Sequence, residues 1–193
     1  IDRGTTFSRR GDETFPTASM IKVPILVTVY DLVAKGMISL SDRLTVLKID
    51  KVPGSGILQF MHDGMEITVG DAAWLMIGVS DNTATNLLLD RIIIRRVWEK
   101  MEALGLPHTK IHSKVFKRET SKFPERSKEF GLGSTTADDM VALLEKLHKG
   151  ELVSKEASAA MTKSLLQCDD KIKFPRFLPP GTKIAFKTGS VDA

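Results

Sequence analysis

Apolar residues are concentrated in one stretch near the start of the chain, and this stretch predicts a buried helix. Between positions 23 and 33 almost every residue is apolar. A helix with apolar residues on nearly every side has to be covered by the rest of the protein. Ser19 precedes the stretch and Gly36 follows it, as expected for a helix start and stop. The stretch is too short to span a membrane.

Five further helices follow from shorter patterns. Capping residues, apolar periodicity and closing glycines place them at about 68–79, 84–89, 95–104, 135–148 and 154–166. The first of these opens on the capping box Thr68-Val69-Gly70-Asp71. The stretch from Leu106 to Ser134 shows no sustained periodicity, and a loop of that length inside a domain is usually functional or disordered.

Extended segments are expected only at the two ends of the chain. Thr5–Ser8 and Thr14–Phe15 resemble short strands, and Lys183–Lys187 alternates polar and apolar residues like a strand. The chain is therefore predicted to be mostly helical, with strands at both ends.

Composition limits the class of protein. With 193 residues, 42% hydrophobic and 27% charged, the chain can bury one core, which could be split into two lobes. Cys168 is the single cysteine, so an internal disulfide is excluded. His108 and His112 lack accompanying ligands for a metal. We expect no metal and no organic cofactor.

The formal net charge of +4 suits an anionic partner. Basic residues and phenylalanines alternate between Lys110 and Lys128, a mixture that a nucleic-acid surface would need. A loop with solvated lysines and buried phenylalanines explains the same pattern. We favour the loop and expect no nucleic-acid partner, because no nucleic-acid fold motif accompanies the charges.

Ser19 and Lys22 form the first candidate catalytic pair. At positions i and i+3 of a helix they lie on one face, so the amine can reach the hydroxyl. Lysine can act as the base only if burial or a nearby cation lowers its pKa. Taken alone, the Ser-x-x-Lys pattern is also that of a helix cap followed by a solvated lysine.

Two further motifs complete a possible acyl-transfer site. Ser80-Asp81-Asn82 falls between two predicted helices, where it could equally be a capping triplet. Lys187-Thr188-Gly189 follows the last predicted strand, and Gly189 leaves space for a substrate beside that strand. Each motif is weak evidence by itself, and it is the occurrence of all three in this order that indicates an acyl-transfer site.

This set of motifs resembles the class A serine β-lactamases within the β-lactamase and penicillin-binding protein superfamily. The resemblance implies a mixed α/β (α+β) fold. It assigns residues 17–180 to a mostly helical lobe and residues 1–16 and 181–193 to strands of an incomplete α/β lobe. Since the family continues beyond both ends, we expect a fragment without the N-terminal helix and strand and the C-terminal strands and helix.

The resemblance also implies a role for each motif residue. Ser19 would be the nucleophile, Lys22 its activating base, and Ser80 the proton relay to the leaving nitrogen. Asn82 would hold Lys22 and the substrate amide, and Asp81 would fix its loop. Lys187 would set the electrostatics and, with Thr188, bind the substrate carboxylate, while Gly189 would leave room for the substrate. The backbone N–H groups of Ser19 and Ser190 would form the oxyanion hole.

The family's omega loop corresponds to the aperiodic stretch, and its glutamate activates the water that hydrolyses the acyl-enzyme. Glu119 is the candidate for this base, with Glu125 as the alternative. The match departs from the family at two positions. Lys117 stands where an arginine is usual, and Phe123 where an asparagine helps to hold the water.

The favoured function is hydrolysis of anionic β-lactam amides through a Ser19 acyl-enzyme. Two alternatives stay open: a D-Ala-D-Ala carboxypeptidase, transpeptidase or esterase of the same superfamily, or a penicillin-binding or inactive fragment without turnover. The resemblance further implies a monomer in the periplasm or outside the cell. The chain opens on Ile1-Asp2-Arg3-Gly4, and we expect any export signal to have been removed or to lie outside this sequence.

Overall fold

Helices packed around one central helix, with two small antiparallel sheets beside them, make up the fold. The computed structural model describes residues 4–170 and 172–190. In chain order the elements are β1 (Thr14–Pro16), α1 (Lys22–Ala34), β2 (Arg43–Val46), β3 (Met65–Thr68), α2 (Val69–Gly78), α3 (Asn82–Ile92), α4 (Ile94–Ala103), β4 (Lys110–Ile111), α5 (Pro124–Phe130), β5 (Gly133–Thr136), α6 (Ala137–His148) and α7 (Lys155–Leu166).

Helix α1 is the centre of the core. Ten of its thirteen residues are buried, and it packs against α2, α3, α4 and α7. Burial on every side agrees with its nearly unbroken apolar sequence. The prediction of a buried helix after Ser19 is confirmed. Two charged residues, Lys22 and Asp31, lie on this helix inside the core, and each needs partners there.

Local signals predicted the other helices well. The capping box of Thr68 and Asp71 is formed at the start of α2. Thr136 and Ser154 cap α6 and α7 with their side-chain oxygens. Because a cap satisfies backbone N–H groups within one turn, its sequence signal needs no tertiary contact to be correct.

The larger sheet joins two distant parts of the chain. β5 lies between β1 and β4 and pairs antiparallel with both. Thr14 lies opposite Thr136 and Lys110 lies opposite Ser134. The strand predicted at Thr14–Phe15 is therefore confirmed, but it pairs with a segment from the middle of the chain.

The other two predicted strands are wrong. Neither Thr5–Ser8 nor Lys183–Lys187 has regular secondary structure. A strand is stabilised by a neighbouring strand that takes its backbone hydrogen bonds, and no described residue forms a ladder with either segment. The Phe186 N–H instead reaches the Leu165 carbonyl at 3.4 Å. The division into two lobes stays a prediction, and its outermost residues, 1–3 and 191–193, lie outside the described residues.

The aperiodic stretch after Leu106 contains more structure than its sequence indicates. It includes β4 and α5, and α5 begins at Pro124, where a missing N–H costs nothing. Phe123 stacks on Trp98 with 4.2 Å between ring centroids. Phe116 is 65% exposed, so the expectation of buried phenylalanines fails there. No helix among the residues described is long and apolar enough to cross a membrane.

The capping box of α2 gives a first prediction. Thr68 Oγ1 accepts the Asp71 N–H at 3.0 Å, so Thr68→Ala should lower the free energy of unfolding by about 1 kcal/mol. Urea denaturation followed by circular dichroism measures this change. Thr5→Ala is the matched control, since Thr5 is exposed and outside any helix. Equal stability of the two variants would contradict the role of the cap.

Candidate active site

Ser19 lies in a tight turn at the entrance of α1. Residues 18–21 form one turn of 3-10 helix that runs directly into α1. The Met20 N–H donates to the Thr17 carbonyl at 3.0 Å, and the Thr17 N–H donates to Gly133 of β5 at 2.9 Å. Ala18 has a positive φ of 45°, a conformation that costs energy and persists only where surrounding contacts impose it. The sheet and helix thus fix Ser19 from both sides.

Lys22 joins the first motif to the second. Its side chain is fully buried, and its Nζ donates to the Ser80 carbonyl at 2.8 Å, to Ser80 Oγ at 3.1 Å and to Asn82 Oδ1 at 2.8 Å. These contacts use all three hydrogens of an ammonium group. The structure therefore brings together Ser80, Asn82 and the lysine one helical turn from Ser19.

Burial sets the protonation of Lys22. Loss of hydration and, to a smaller extent, the nearby Lys187 cation lower its pKa to about 7, while Asp81 acts in the opposite direction. Near neutral pH a large fraction of Lys22 is thus the free amine. An amine in that state can accept a proton from a hydroxyl.

Asp81 fixes the loop in front of the site. Its Oδ2 accepts the N–H groups of Ile57 at 2.7 Å and Leu58 at 2.9 Å. Its Oδ1 caps α3 by accepting the Ala84 N–H at 2.9 Å. The carboxylate therefore connects two segments through three backbone hydrogen bonds, in agreement with the positioning role expected for it.

Sequence reasoning missed the loop that Asp81 holds. The Asn82 N–H donates to the Ser55 carbonyl at 3.0 Å, and Asn82 Nδ2 donates to the Pro53 carbonyl at 3.0 Å. Gly56 has a φ of 106°, and a Cβ there would lie 2.3 Å from Asp81 Cγ. The turn-forming sequence 53–56 could have revealed a loop, but its contact with Asn82 is tertiary.

The third motif packs directly on the 3-10 turn of residues 18–21 and the preceding Thr17, here called the serine turn. A Cβ on Gly189 would lie 2.5 Å from the Thr17 carbonyl oxygen and 3.2 Å from Ala18 Cβ, so only glycine fits this approach. Lys187 Nζ donates to the Thr188 carbonyl at 2.9 Å. Burial lowers the pKa of Lys187, although Cys168 and Asp170 oppose that effect.

The three motifs meet at one cleft. A cavity of about 310 Å³ is lined by residues from all of them: Ser19, Ser80, Lys187, Thr188 and Ser190. Asn82 lines a second cavity of about 400 Å³, which Ser19 also lines. The described residues contain no group of His, Cys, Asp and Glu side chains suited to holding a metal ion.

Neither candidate base for deacylation reaches Ser19. Glu119 is exposed and lines neither cavity. Glu125 is on α5, where its side chain is 87% exposed beside Lys128. The structure thus brings four predicted catalytic residues together and leaves Glu119 outside.

Val115, and not Glu119 or Glu125, lines the second cavity. Its N–H donates to Asn86 Oδ1 at 2.8 Å, and its carbonyl accepts from Asn86 Nδ2 at 3.0 Å. This double contact fixes the backbone of the aperiodic stretch beside Ser19. Among the described residues, those that line that cavity include Lys114, Phe116 and Arg118 but no carboxylate.

Comparison with known proteins identifies the family of the chain. The model of the β-lactamase enzyme family matches residues 1–193. The chain belongs to this family. Its sequence is 35% identical to a β-lactamase from Sphaerobacter thermophilus, whose structure superposes with a TM-score of 0.87. That match covers 98% of the present chain and 70% of the Sphaerobacter chain.

Two other solved structures show similar agreement. A variant of PBP-A, determined as an acyl-enzyme complex with penicillin G, is 29% identical with a TM-score of 0.85. The match covers 98% of this chain and 68% of PBP-A. A variant of the last common ancestor of Gram-negative class A β-lactamases is 27% identical with a TM-score of 0.84, covering 98% and 70% of the two chains. The serine β-lactamase-like fold expected from the motifs is confirmed.

The contacts of Asp81 give a second prediction. Asp81→Ala leaves three backbone N–H groups without their acceptor, so the free energy of unfolding should fall by on the order of 3 kcal/mol. Chemical denaturation measures the loss. Asp90→Ala is the control, because its exposed ion pair with Lys114 should contribute less than about 1 kcal/mol. Similar losses in both variants would argue against the anchoring role.

Proposed function

We propose that the protein is a serine hydrolase that opens β-lactam amide bonds through an acyl-enzyme on Ser19. The observation that carries this proposal is the buried Lys22 amine, held by Ser80 and Asn82 with its pKa lowered to about 7. Family membership supports a hydrolase of this superfamily.

In the acylation step, neutral Lys22 takes the proton of the Ser19 hydroxyl as Oγ attacks the β-lactam carbonyl. The backbone N–H groups of Ser19 and Ser190 stabilise the oxyanion. Ser80 Oγ, which accepts from Lys22 Nζ at 3.1 Å, passes a proton to the leaving nitrogen. The amide bond breaks, and the acyl group remains as an ester on Ser19.

Lys187 and Thr188 provide the binding site for the carboxylate of the substrate. Both line the cleft with Ser19, and Gly189 brings their segment against the serine turn. The Lys187 cation has a second effect, since it also lowers the pKa of Lys22. Substrate recognition and activation of the nucleophile are therefore coupled by charge.

A second candidate function is penicillin binding without efficient turnover. The exposed position of Glu119 and the lack of a carboxylate among the described residues that line the cavity at Val115 favour it, because water attack on the ester needs a base. PBP-A, whose variant was determined as a penicillin G acyl-enzyme, has a similar fold. Peptidase or esterase activity, a monomeric state and an exported location stay predictions.

Covalent labelling tests the nucleophile. A fluorescent penicillin should label the wild-type chain once, and Ser19→Ala should abolish the label because it removes the hydroxyl that attacks the β-lactam carbonyl. Ser190→Ala is the matched control and should still label, since its proposed contribution is a backbone N–H. Persistent labelling of Ser19→Ala at the wild-type rate would disprove the assignment.

Product stoichiometry in the same experiment separates the two candidate functions. Release of many equivalents of hydrolysed nitrocefin would establish a β-lactamase. A burst of one equivalent would establish a penicillin-binding protein with a stable ester.

The protonation of Lys22 predicts the pH dependence of acylation. Its pKa of about 7 means that the reactive amine is lost as pH falls. The acylation rate should therefore fall about tenfold per pH unit below pH 6 and level off above pH 8. Lys187→Gln removes the cation that lowers this pKa, so its midpoint should lie at higher pH. A flat profile from pH 5 to 9 would exclude Lys22 as the base.

A further inference from the structure

The hydroxyl of Thr188 is already engaged by an acid of the protein itself. Thr188 Oγ1 donates to Asp170 Oδ2 at 2.6 Å. A threonine hydroxyl carries one hydrogen and can donate one hydrogen bond. A substrate carboxylate can accept that hydrogen only after the contact with Asp170 is broken.

Asp170 is held in this position by its own segment. Its Oδ1 accepts the backbone N–H groups of Ile172 at 3.1 Å and Lys173 at 3.3 Å. Lys173 Nζ reaches the same motif and donates to the Gly189 carbonyl at 2.7 Å and to Ser190 Oγ. A carboxylate and an ammonium three residues apart thus fasten one segment to residues 188–190.

The charge of Asp170 acts inside the substrate cleft. Asp170 lines the same cavity as Ser19 and Lys187. The hydrogen bond from Thr188, followed by those from Ile172 and Lys173, holds the pKa of Asp170 below its usual value, so the group is ionised at neutral pH. A carboxylate there offsets part of the attraction of Lys187 for an anion, and it repels a second carboxylate.

We propose that Asp170 determines the charge specificity of the cleft. Its carboxylate takes the Thr188 hydrogen bond that an anionic substrate would use, and so reduces the preference of the site for anionic over neutral β-lactams. The inference rests on the proposed acylation of Ser19. It adds a determinant that none of the three motifs contains.

A pair of substrates that differ only in charge tests this inference. Benzylpenicillin is an anion and its methyl ester is neutral, and the second-order rate of acylation is measured for both by mass spectrometry. Asp170→Asn removes the charge, and Asp170→Ala removes the acceptor as well. Both variants should raise the rate of acylation by the acid roughly tenfold, because each removes the charged group that competes for the Thr188 hydrogen bond. The rate of acylation by the ester should change less than about twofold.

Asp169→Asn is the matched control. Asp169 lines the same cavity, so Asp169→Asn changes the net charge of the cleft by the same amount. Because the Thr188 hydroxyl donates to Asp170, this control should alter the ratio of acid to ester rates less than about twofold. An equal change of ratio in this control would overturn the specific role of Asp170. The proposal would also be overturned if both Asp170 variants left the two rates unchanged, or changed the rates with acid and ester by the same factor. If neither substrate acylates the wild-type chain, the proposed function fails and this inference fails with it.

Discussion

The burial of one amine is the constraint on which the rest of the site depends. Lys22 is fully buried on the central helix α1, where a charged amine loses its hydration and is costly. The Ser80 and Asn82 oxygens offset part of that cost, and their loop has to be in place for the helix to be tolerated. The same contacts therefore stabilise the buried amine and position it beside Ser80 and Asn82.

The same constraint links stability to pH. The pKa of Lys22 is about 7 in the folded chain and 10.5 for an unburied lysine. Between these values the unfolded chain binds more protons than the folded one, so the free energy of unfolding rises with pH across that window. The protein gives up stability at neutral pH to hold an amine that can act as a base, a cost expected at functional sites.

Three of the six described non-glycine residues with positive φ lie at the two cavities that Ser19 lines. Ala18, Ser80 and Phe116 all have positive φ, and each lines one of the two cavities. Gly189 approaches the Thr17 carbonyl too closely for any side chain. Such conformations persist where neighbouring contacts over-determine them, and they cluster where geometry serves chemistry. The Asp81 anchor and the pairing of β1 with β5 supply those contacts.

The sequence by itself determined what depends on neighbours within one turn. Local periodicity and hydrogen bonding determine the helices other than α5 and the caps at Thr68 and Ser154, and the three motifs are visible in the sequence itself. The tertiary structure decided the rest. It left Lys183–Lys187 without a ladder, left Glu119 exposed, and placed Val115 and Asp170 beside the cleft. Those outcomes depend on hydrogen bonds between residues that only the packing of distant segments brings together, such as Asn86 with Val115.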